Sequence, residues 1–245
     1  MENIMEPISS NETFCFDCGP DVPCFNECCR DLNQFLMPYD VLRLKNHFNM
    51  TSGDFLEKYV IMNVGPSTGL PVASLKPAND VDLVCPFVTP DGCAVYEDRP
   101  SSCRIYPLAR AVVRSRETGK MTEHYALLKE AHCQGFAKGK ERSAGEWVNG
   151  QGLGEYNKIN DLLLEIISLK NMSQPGALDM VSQKMFHMAC YDLDAFRCFM
   201  FDDGGADQMA FDDRFTPELL EAARGDDVKL LEAGLLWLKA FLFKK

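Results

Sequence analysis

Apolar positions at helical spacing dominate the last third of the chain. Over residues 155–170 they recur every three or four places and predict an amphipathic helix: Ile159, Leu162, Leu163, Ile166 and Leu169. The spacing continues over residues 178–188, after a break at Gln174-Pro175. Thr216-Pro217-Glu218 is a typical helix start for a segment that ends near Gly225, and residues 228–243 form a final apolar segment. We therefore predict a helical C-terminal region.

Shorter elements are predicted in the first half of the chain. Residues 38–48 begin with a proline suited to a first helical turn, and Thr51-Ser52-Gly53-Asp54 is a capping pattern ahead of a second short helix. Residues 70–85 are β-prone and broken by Pro77. The β-prone segments 108–115 and 121–128 flank Glu117-Thr118-Gly119-Lys120, which predicts a β-hairpin.

These elements together predict an α+β fold. A small cysteine-rich N-terminal region with short helices and a β-hairpin is followed by a helical C-terminal region. The composition changes at the glycine- and lysine-rich stretch 135–140, which is typical of an exposed turn or linker. We accordingly expect a cysteine-rich domain over residues 1–138 and a helical region over residues 139–245 packed on it.

The net charge of the chain limits the classes of partner that we expect it to bind. Its 245 residues carry 36 acidic and 25 basic side chains, a net charge of −11. This sign is wrong for tracking a phosphate backbone, so nucleic acid is not an expected partner. No apolar run reaches the length of about 18 residues that a membrane span needs, and the first residues do not resemble a signal peptide. We expect a cytoplasmic protein that meets no membrane.

Cysteine is the unusual component. The chain has eleven, and nine of them fall between Cys15 and Cys133. In a reducing compartment such density favours metal binding or catalysis over disulfides. The first group reads Cys15-x2-Cys18-x5-Cys24-x3-Cys28-Cys29, and the second reads Cys85-x7-Cys93-x9-Cys103, with Cys133 further on. Neither spacing matches a ferredoxin, and paired zinc knuckles are absent, so spacing alone does not name the metal.

Local features around these cysteines support a ligand site. A proline and an Asp-Gly turn lie between Cys85 and Cys93, and such turns aim backbone amides at sulfur. Arg30, Arg99 and Arg104 are close in sequence to the cysteines and are expected either to offset thiolate charge or to face solvent. Neighbouring side chains diverge, so Cys28 and Cys29 would serve two sites more easily than one, unless one of them is simply buried.

The remaining cysteines have other interpretations. Cys190 and Cys198 lie in a predicted helix among methionine and phenylalanine residues, and we expect both in the core. The role of Cys15 is left open.

Four blocks of the chain resemble the YkgJ-type cysteine-cluster family, a zinc- or iron-chelating domain with a CxxCxxCC core. The resemblance covers residues 15–135 and is carried by Cys24-Phe25-Asn26-Glu27-Cys28-Cys29-Arg30, residues 38–44, residues 54–59, and the stretch from Cys85-Pro86-Phe87 to Cys103-Arg104-Ile105-Tyr106-Pro107. It implies a thiolate-rich metal site. A related domain occurs in flagellin lysine methylases, where an iron–sulfur cluster is associated with it.

The chain departs from the compact family motif, because five residues separate Cys18 from Cys24 where the motif has two. With Cys18 as the first ligand, the candidate metal ligands are Cys18, Cys24, Cys28, Cys29, Cys85, Cys93, Cys103 and Cys133. Eight thiols would fill two four-thiolate sites. Alternatively, four hold a single cluster and the others lie around it.

Three functions follow. The favoured one is a metal-binding protein with an iron–sulfur cluster, or else Zn²⁺, in a structural or electron-carrying role, since all-thiolate coordination leaves no open position for substrate. The second is a redox or methyl-transfer enzyme component, as the methylase resemblance implies. The third is an adaptor in which the metal staples the fold and the helical C-terminal region binds a protein partner.

Overall fold

The computed structural model describes residues 4–30, 32–115, 117–118, 120–209 and 212–243. The chain forms two compact units, each built from two separated segments. The first unit contains Met1–Leu32 and Pro77–Asn157, and the second contains Asn33–Lys76 and Lys158–Lys245. These units are defined by contacts within the chain and do not test the proposed domain boundary at residue 138, which stays a prediction.

The elements are numbered in chain order. The strands are β1 Ile4–Ile8, β2 Thr13–Cys15, β3 Phe35–Leu36, β4 Val60–Val64, β5 Pro71–Leu75, β6 Val88–Thr89, β7 Gly92–Cys93, β8 Leu108–Arg114, β9 Met121–Lys129 and β10 Glu141–Ser143. The helices are α1 Pro38–His47, α2 Ser52–Tyr59, α3 Ser101–Ile105, α4 Ala144–Gly150, α5 Gly154–Ser173, α6 Met180–Cys190, α7 Leu193–Phe201, α8 Gly205–Met209, α9 Pro217–Gly225 and α10 Asp227–Trp237. Short 3₁₀ turns occupy Glu27–Cys29, Tyr96–Asp98 and Gly135–Ala137, and α10 runs on into a π-helical turn, Leu238–Leu242.

An antiparallel sheet with the order β1-β9-β8 is the main element of the first unit. Its β8–β9 hairpin confirms the predicted one, although the turn residue Gly119 lies outside the described residues. Aromatic side chains fill the core beneath the sheet: Phe14 and Phe16 each meet Trp147 edge to face, with ring centroids 5.8 and 5.6 Å apart. The Trp147 indole N–H is satisfied by the Ile105 carbonyl at 3.0 Å.

The second unit combines the sheet β3-β5-β4 with the helices α1, α2 and α6 to α10 and with most of α5. The predicted starts of its helices are confirmed. Asp40 accepts a hydrogen bond from the Met37 amide at 2.8 Å, ahead of α1, and the Thr51 hydroxyl accepts from the Asp54 amide at 3.2 Å. The Thr216 hydroxyl caps α9 in the same way. Short-range capping chemistry thus sets where these helices begin.

The predicted fold class is confirmed: hairpins and short helices surround the cysteines, and the C-terminal region is helical. One cysteine is misplaced by the prediction. Cys190 is fully buried, as expected, but Cys198 is exposed. The reason is geometric, because α7 buries Leu193, Phe196 and Met200 along one stripe and Cys198 lies off it. No helix in the described part of the chain is long and apolar enough to cross a membrane.

A charge network in the second unit yields a stability prediction. Lys45 is only 5% exposed, and its Nζ lies 2.7 Å from Oδ2 of Asp227, which also pairs with Arg197. The substitution Asp227→Asn removes the carboxylate that pairs directly with the buried Lys45 ammonium, so we expect unfolding free energy to fall by about 3 kcal/mol. Urea denaturation followed by circular dichroism measures the change.

The matched control is Glu221→Gln. Glu221 is 82% exposed and pairs with Arg224 at 3.5 Å on the surface of α9, so the expected change is within about 0.5 kcal/mol. Equal stability of the two variants would contradict the role given to Asp227.

Candidate metal centre

The first cysteine group lies on a loop of consecutive tight turns. Backbone hydrogen bonds from Val22 to Gly19, Phe25 to Val22 and Glu27 to Cys24 close the turns at 2.9 to 3.0 Å. Asn26, with a φ of 67°, takes a left-handed conformation that asparagine tolerates and so starts the 3₁₀ turn Glu27–Cys29. The loop therefore holds Cys18, Cys24, Cys28 and Cys29 in a short stretch of backbone without a long helix or strand.

The second group is built on the β6–β7 hairpin and the turn before it. The amides of Phe87 and Val88 donate hydrogen bonds to the Cys85 sulfur, and the amide of Val95 donates to the Cys93 sulfur. The predicted turn between Cys85 and Cys93 is therefore present and does aim amides at sulfur. N–H groups that face sulfur stabilise the thiolate form, which is the form that binds metal.

Three contacts join the two cysteine loops. The Cys85 amide donates to the Cys29 carbonyl at 2.8 Å, and the Asn26 side-chain amide donates to the Thr89 carbonyl at 3.0 Å. Gly92 approaches the Phe25 ring so closely that an added Cβ would lie 3.0 Å from it, and its φ of 121° also favours glycine. Segments about sixty residues apart in sequence are thus fixed side by side.

The segment that carries Cys133 docks on the first loop. The Gln134 amide donates to the Cys24 sulfur at 3.1 Å, and the Asp17 amide donates to the Gly135 carbonyl at 3.1 Å. Lys138 Nζ donates to the Asp21 carbonyl at 2.6 Å. A Cβ on Gly135 would lie 2.6 Å from the Asp17 carbonyl oxygen, so only glycine permits this approach. Cys133 is therefore brought to Cys24 through its own neighbour.

Mutual charge effects relate the cysteines to one another. Cys18 is exposed, but protein atoms displace part of the water around its sulfur; this, and then the neighbouring Cys28, Cys24 and Cys133, raise the pKa of Cys18 to about 11. The charges of Cys28, Cys85 and Cys103 raise the pKa of Cys29. Cys93 and Cys28 act in the same direction on the pKa of Cys85, and Cys28 acts in the same direction on the pKa of Cys93. All eight predicted ligands therefore belong to one electrostatically connected set, with Cys28 at its centre.

The adjacent pair Cys28 and Cys29 share a hydrogen bond. The Cys29 thiol donates to the Cys28 sulfur, which lowers the pKa of Cys28 to about 7, and the same bond raises the pKa of Cys29. Cys28 is exposed and Cys29 half-buried. Cys28 is consequently the thiol of this pair that ionises first.

The eight thiols are close but are not in coordination geometry. Within the described ranges, no group of three or more His, Cys, Asp or Glu side chains is arranged to hold a metal ion. Cys15 stands apart from the set, on β2 opposite Glu141. Cys18, Cys28 and Cys103 are exposed, and Cys24, Cys29, Cys85, Cys93 and Cys133 are half-buried.

The three arginines have three different partners. Burial raises the pKa of Cys93, and the Arg99 guanidinium opposes this effect. Arg99 is nearly buried and stacks on Tyr96 at 3.8 Å, so its position is fixed. Arg104 instead donates to the backbone carbonyls of Gln151 and Glu97, and Arg30 pairs with Glu27 on the surface. Of the three, Arg99 offsets thiolate charge.

Two residues near the thiols were not predicted from the sequence. Glu130 opposes the lowering of the Cys28 pKa and contributes to the raised pKa of Tyr106. The pKa of Tyr106 is raised first by burial and then by Cys133, and its hydroxyl oxygen is buried. Glu130 could have been predicted, because it lies three residues before Cys133 in the sequence. Tyr106 could not, because only the tertiary fold brings it near Cys133.

Comparison with known families agrees with this geometry. Residues 17–134 match the family model CxxCxxCC, described as "Putative zinc- or iron-chelating domain". The match spans just under half of the chain. The matched range contains all eight predicted ligands and excludes Cys15, Cys190 and Cys198. No curated protein and no solved structure is similar enough to the chain to match it.

The predicted ligand set can be tested by replacing single cysteines and measuring the metal content. Cys85→Ser removes a thiol that receives two backbone hydrogen bonds at the junction of both loops, so we expect it to lower metal content at least by half. Cys15→Ser is the matched control, and its metal content should equal that of the wild type. Elemental analysis of the purified variants measures both, and equal metal loss in the two would contradict the ligand set.

Proposed function

We propose that this protein binds its metal through the thiolates of Cys18, Cys24, Cys28, Cys29, Cys85, Cys93, Cys103 and Cys133. The observation that carries the proposal is that Cys18, Cys29, Cys85 and Cys93 each feel the charge of other thiols among the eight. Four separate stretches of chain supply them, and hydrogen bonds tie three of these stretches together. Packing of a hydrophobic core alone would not require thiols from distant parts of the chain to lie together.

The eight thiols are proposed to form two groups of four, with Cys28 close to members of both. Cys18 interacts with Cys24, Cys28 and Cys133, and these form the first proposed group. Cys29 interacts with Cys85 and Cys103, and Cys85 with Cys93, which gives the second. Cys28 and Cys29 are neighbours in the chain and mark the boundary between the groups. Because the thiols are not in coordination geometry, metal binding has to draw the turn segments together.

The donor set fits an iron–sulfur cluster or Zn²⁺, both of which accept four thiolates. We favour an iron–sulfur cluster, because every proposed ligand is a cysteine and because a cluster is associated with the related methylase domain. Such a cluster supplies one-electron transfer when bound. The chain's own contribution is to hold the thiolates: amides face Cys24, Cys85 and Cys93, and Arg99 offsets negative charge.

Closed all-thiolate coordination supports a structural or electron-carrying role. We further propose that the protein works in the cytoplasm, where a reducing environment keeps clustered thiols available to metal.

Anaerobic purification tests the choice of metal. An iron–sulfur protein should be brown, with visible sulfur-to-iron absorption and about four iron atoms and four sulfides for each four-thiolate cubane cluster. Iron and sulfide assays with the absorption spectrum measure this. A colourless protein with about two zinc ions per chain would replace the cluster by zinc but keep the thiolate sites. A protein that retains neither metal at stoichiometric level would contradict the proposed function.

A further inference from the structure

Tyr106 occupies a fixed position between α3 and β8. Its amide donates to the Ser102 carbonyl at 3.3 Å, and the carbonyl of the next residue, Pro107, accepts from the Leu128 amide at 2.8 Å. Its ring packs edge to face on Phe16, with centroids 5.7 Å apart. Backbone and ring are thus both held, so the hydroxyl has little freedom to seek another partner.

The hydroxyl group itself is in an unfavourable position. Its oxygen is buried and makes no hydrogen bond of good geometry with the residues that the structure describes, although two acceptors are near it. It faces the sulfur of Cys133 and the carboxylate of Glu130, and Tyr106 and Cys133 pack against the same core. A buried hydroxyl without a partner is costly, and folded proteins rarely keep one without a reason. The burial of this hydroxyl is explained if metal binding creates a hydrogen-bond acceptor beside it.

Metal binding supplies such an acceptor. The sulfur of a neutral thiol accepts hydrogen bonds weakly, whereas a metal-bound cysteine is a thiolate, and hydrogen bonds to charged acceptors are stronger. A phenol keeps its proton at neutral pH and is therefore a donor. We propose that the Tyr106 hydroxyl donates a hydrogen bond to the metal-bound Cys133 thiolate and positions that ligand. This inference rests on the proposed function.

Glu130 is the competing acceptor. Its carboxylate is 36% exposed and lies 3.8 Å from Nε2 of His132, so water and a neighbouring side chain already serve it. Cys133 is half-buried and packs against the same core as Tyr106, so water serves a thiolate there less well than it serves the Glu130 carboxylate. The thiolate is therefore the acceptor that gains from Tyr106.

The substitution Tyr106→Phe tests the role of the hydroxyl. In the metal-loaded protein, we expect the variant to release metal to a chelator about tenfold faster than the wild type, because partners that support a ligand have effects of this size. The sulfur-to-metal absorption band should also shift. In the metal-free protein, the melting temperature should stay unchanged or rise, because the variant removes a buried hydroxyl that makes no hydrogen bond of good geometry in that state.

Two controls sharpen this test. Tyr125→Phe removes a hydroxyl of the same unit that donates to Glu123 at 2.7 Å, and it should release metal at the wild-type rate. Glu130→Gln removes a negative charge near Cys28 and should release metal no faster than the wild type; if it reproduces the fast release of Tyr106→Phe, the hydroxyl serves Glu130 and the inference is wrong.

Other outcomes also decide the inference. Wild-type release from Tyr106→Phe would overturn it while leaving the metal site intact. An equal loss of melting temperature in the metal-free and metal-loaded forms would also overturn it, because it would show a purely structural role. Failure of the wild type to hold metal would instead refute the proposed function, so the two failures are distinguishable.

Discussion

Thiolates gathered in a small volume repel one another, and this repulsion is the constraint on which the first unit depends. Eight cysteines come from four stretches of chain, and neighbouring thiols raise the pKa values of Cys18, Cys29 and Cys85. The chain's net charge of −11 gives no general relief. Without metal, the thiols are held partly in check by protonation, and with metal their charge is neutralised directly. On the proposed function, the fold brings the donors near one another and metal binding completes the site.

The scaffold that achieves this is made of turns and hydrogen bonds rather than of long elements. Backbone amides face Cys24, Cys85 and Cys93, and the guanidinium of Arg99 opposes the effect of burial at Cys93. Close approaches at Gly92 and Gly135 let the loops touch. A β-sheet and an aromatic core behind the loops give these turns a rigid base. Local geometry of this kind explains how distant cysteines meet without a helix to carry them.

Features with short-range causes were predictable from the sequence. Helix starts at Pro38, Thr51 and Thr216, the β8–β9 hairpin and the turn after Cys85 all depend on residues within a few positions of one another. Features with long-range causes were not. The strand β1 pairs with β9 across more than a hundred residues, and Tyr106 lies near Cys133 only because of the tertiary fold. Cys198 shows a third case: its apolar neighbours suggested the core, but the phase of α7 puts it outside.

The most direct test of the central claim is alkylation of the native, metal-loaded protein, with each cysteine mapped by mass spectrometry. Cys18, Cys28 and Cys103 are exposed in the fold, so burial alone does not protect them. If thiolates bind the metal, these three should resist alkylation until a chelator is added, while the exposed Cys15 and Cys198 react at once. Equal reaction of all five exposed cysteines, with metal still bound, would contradict the account.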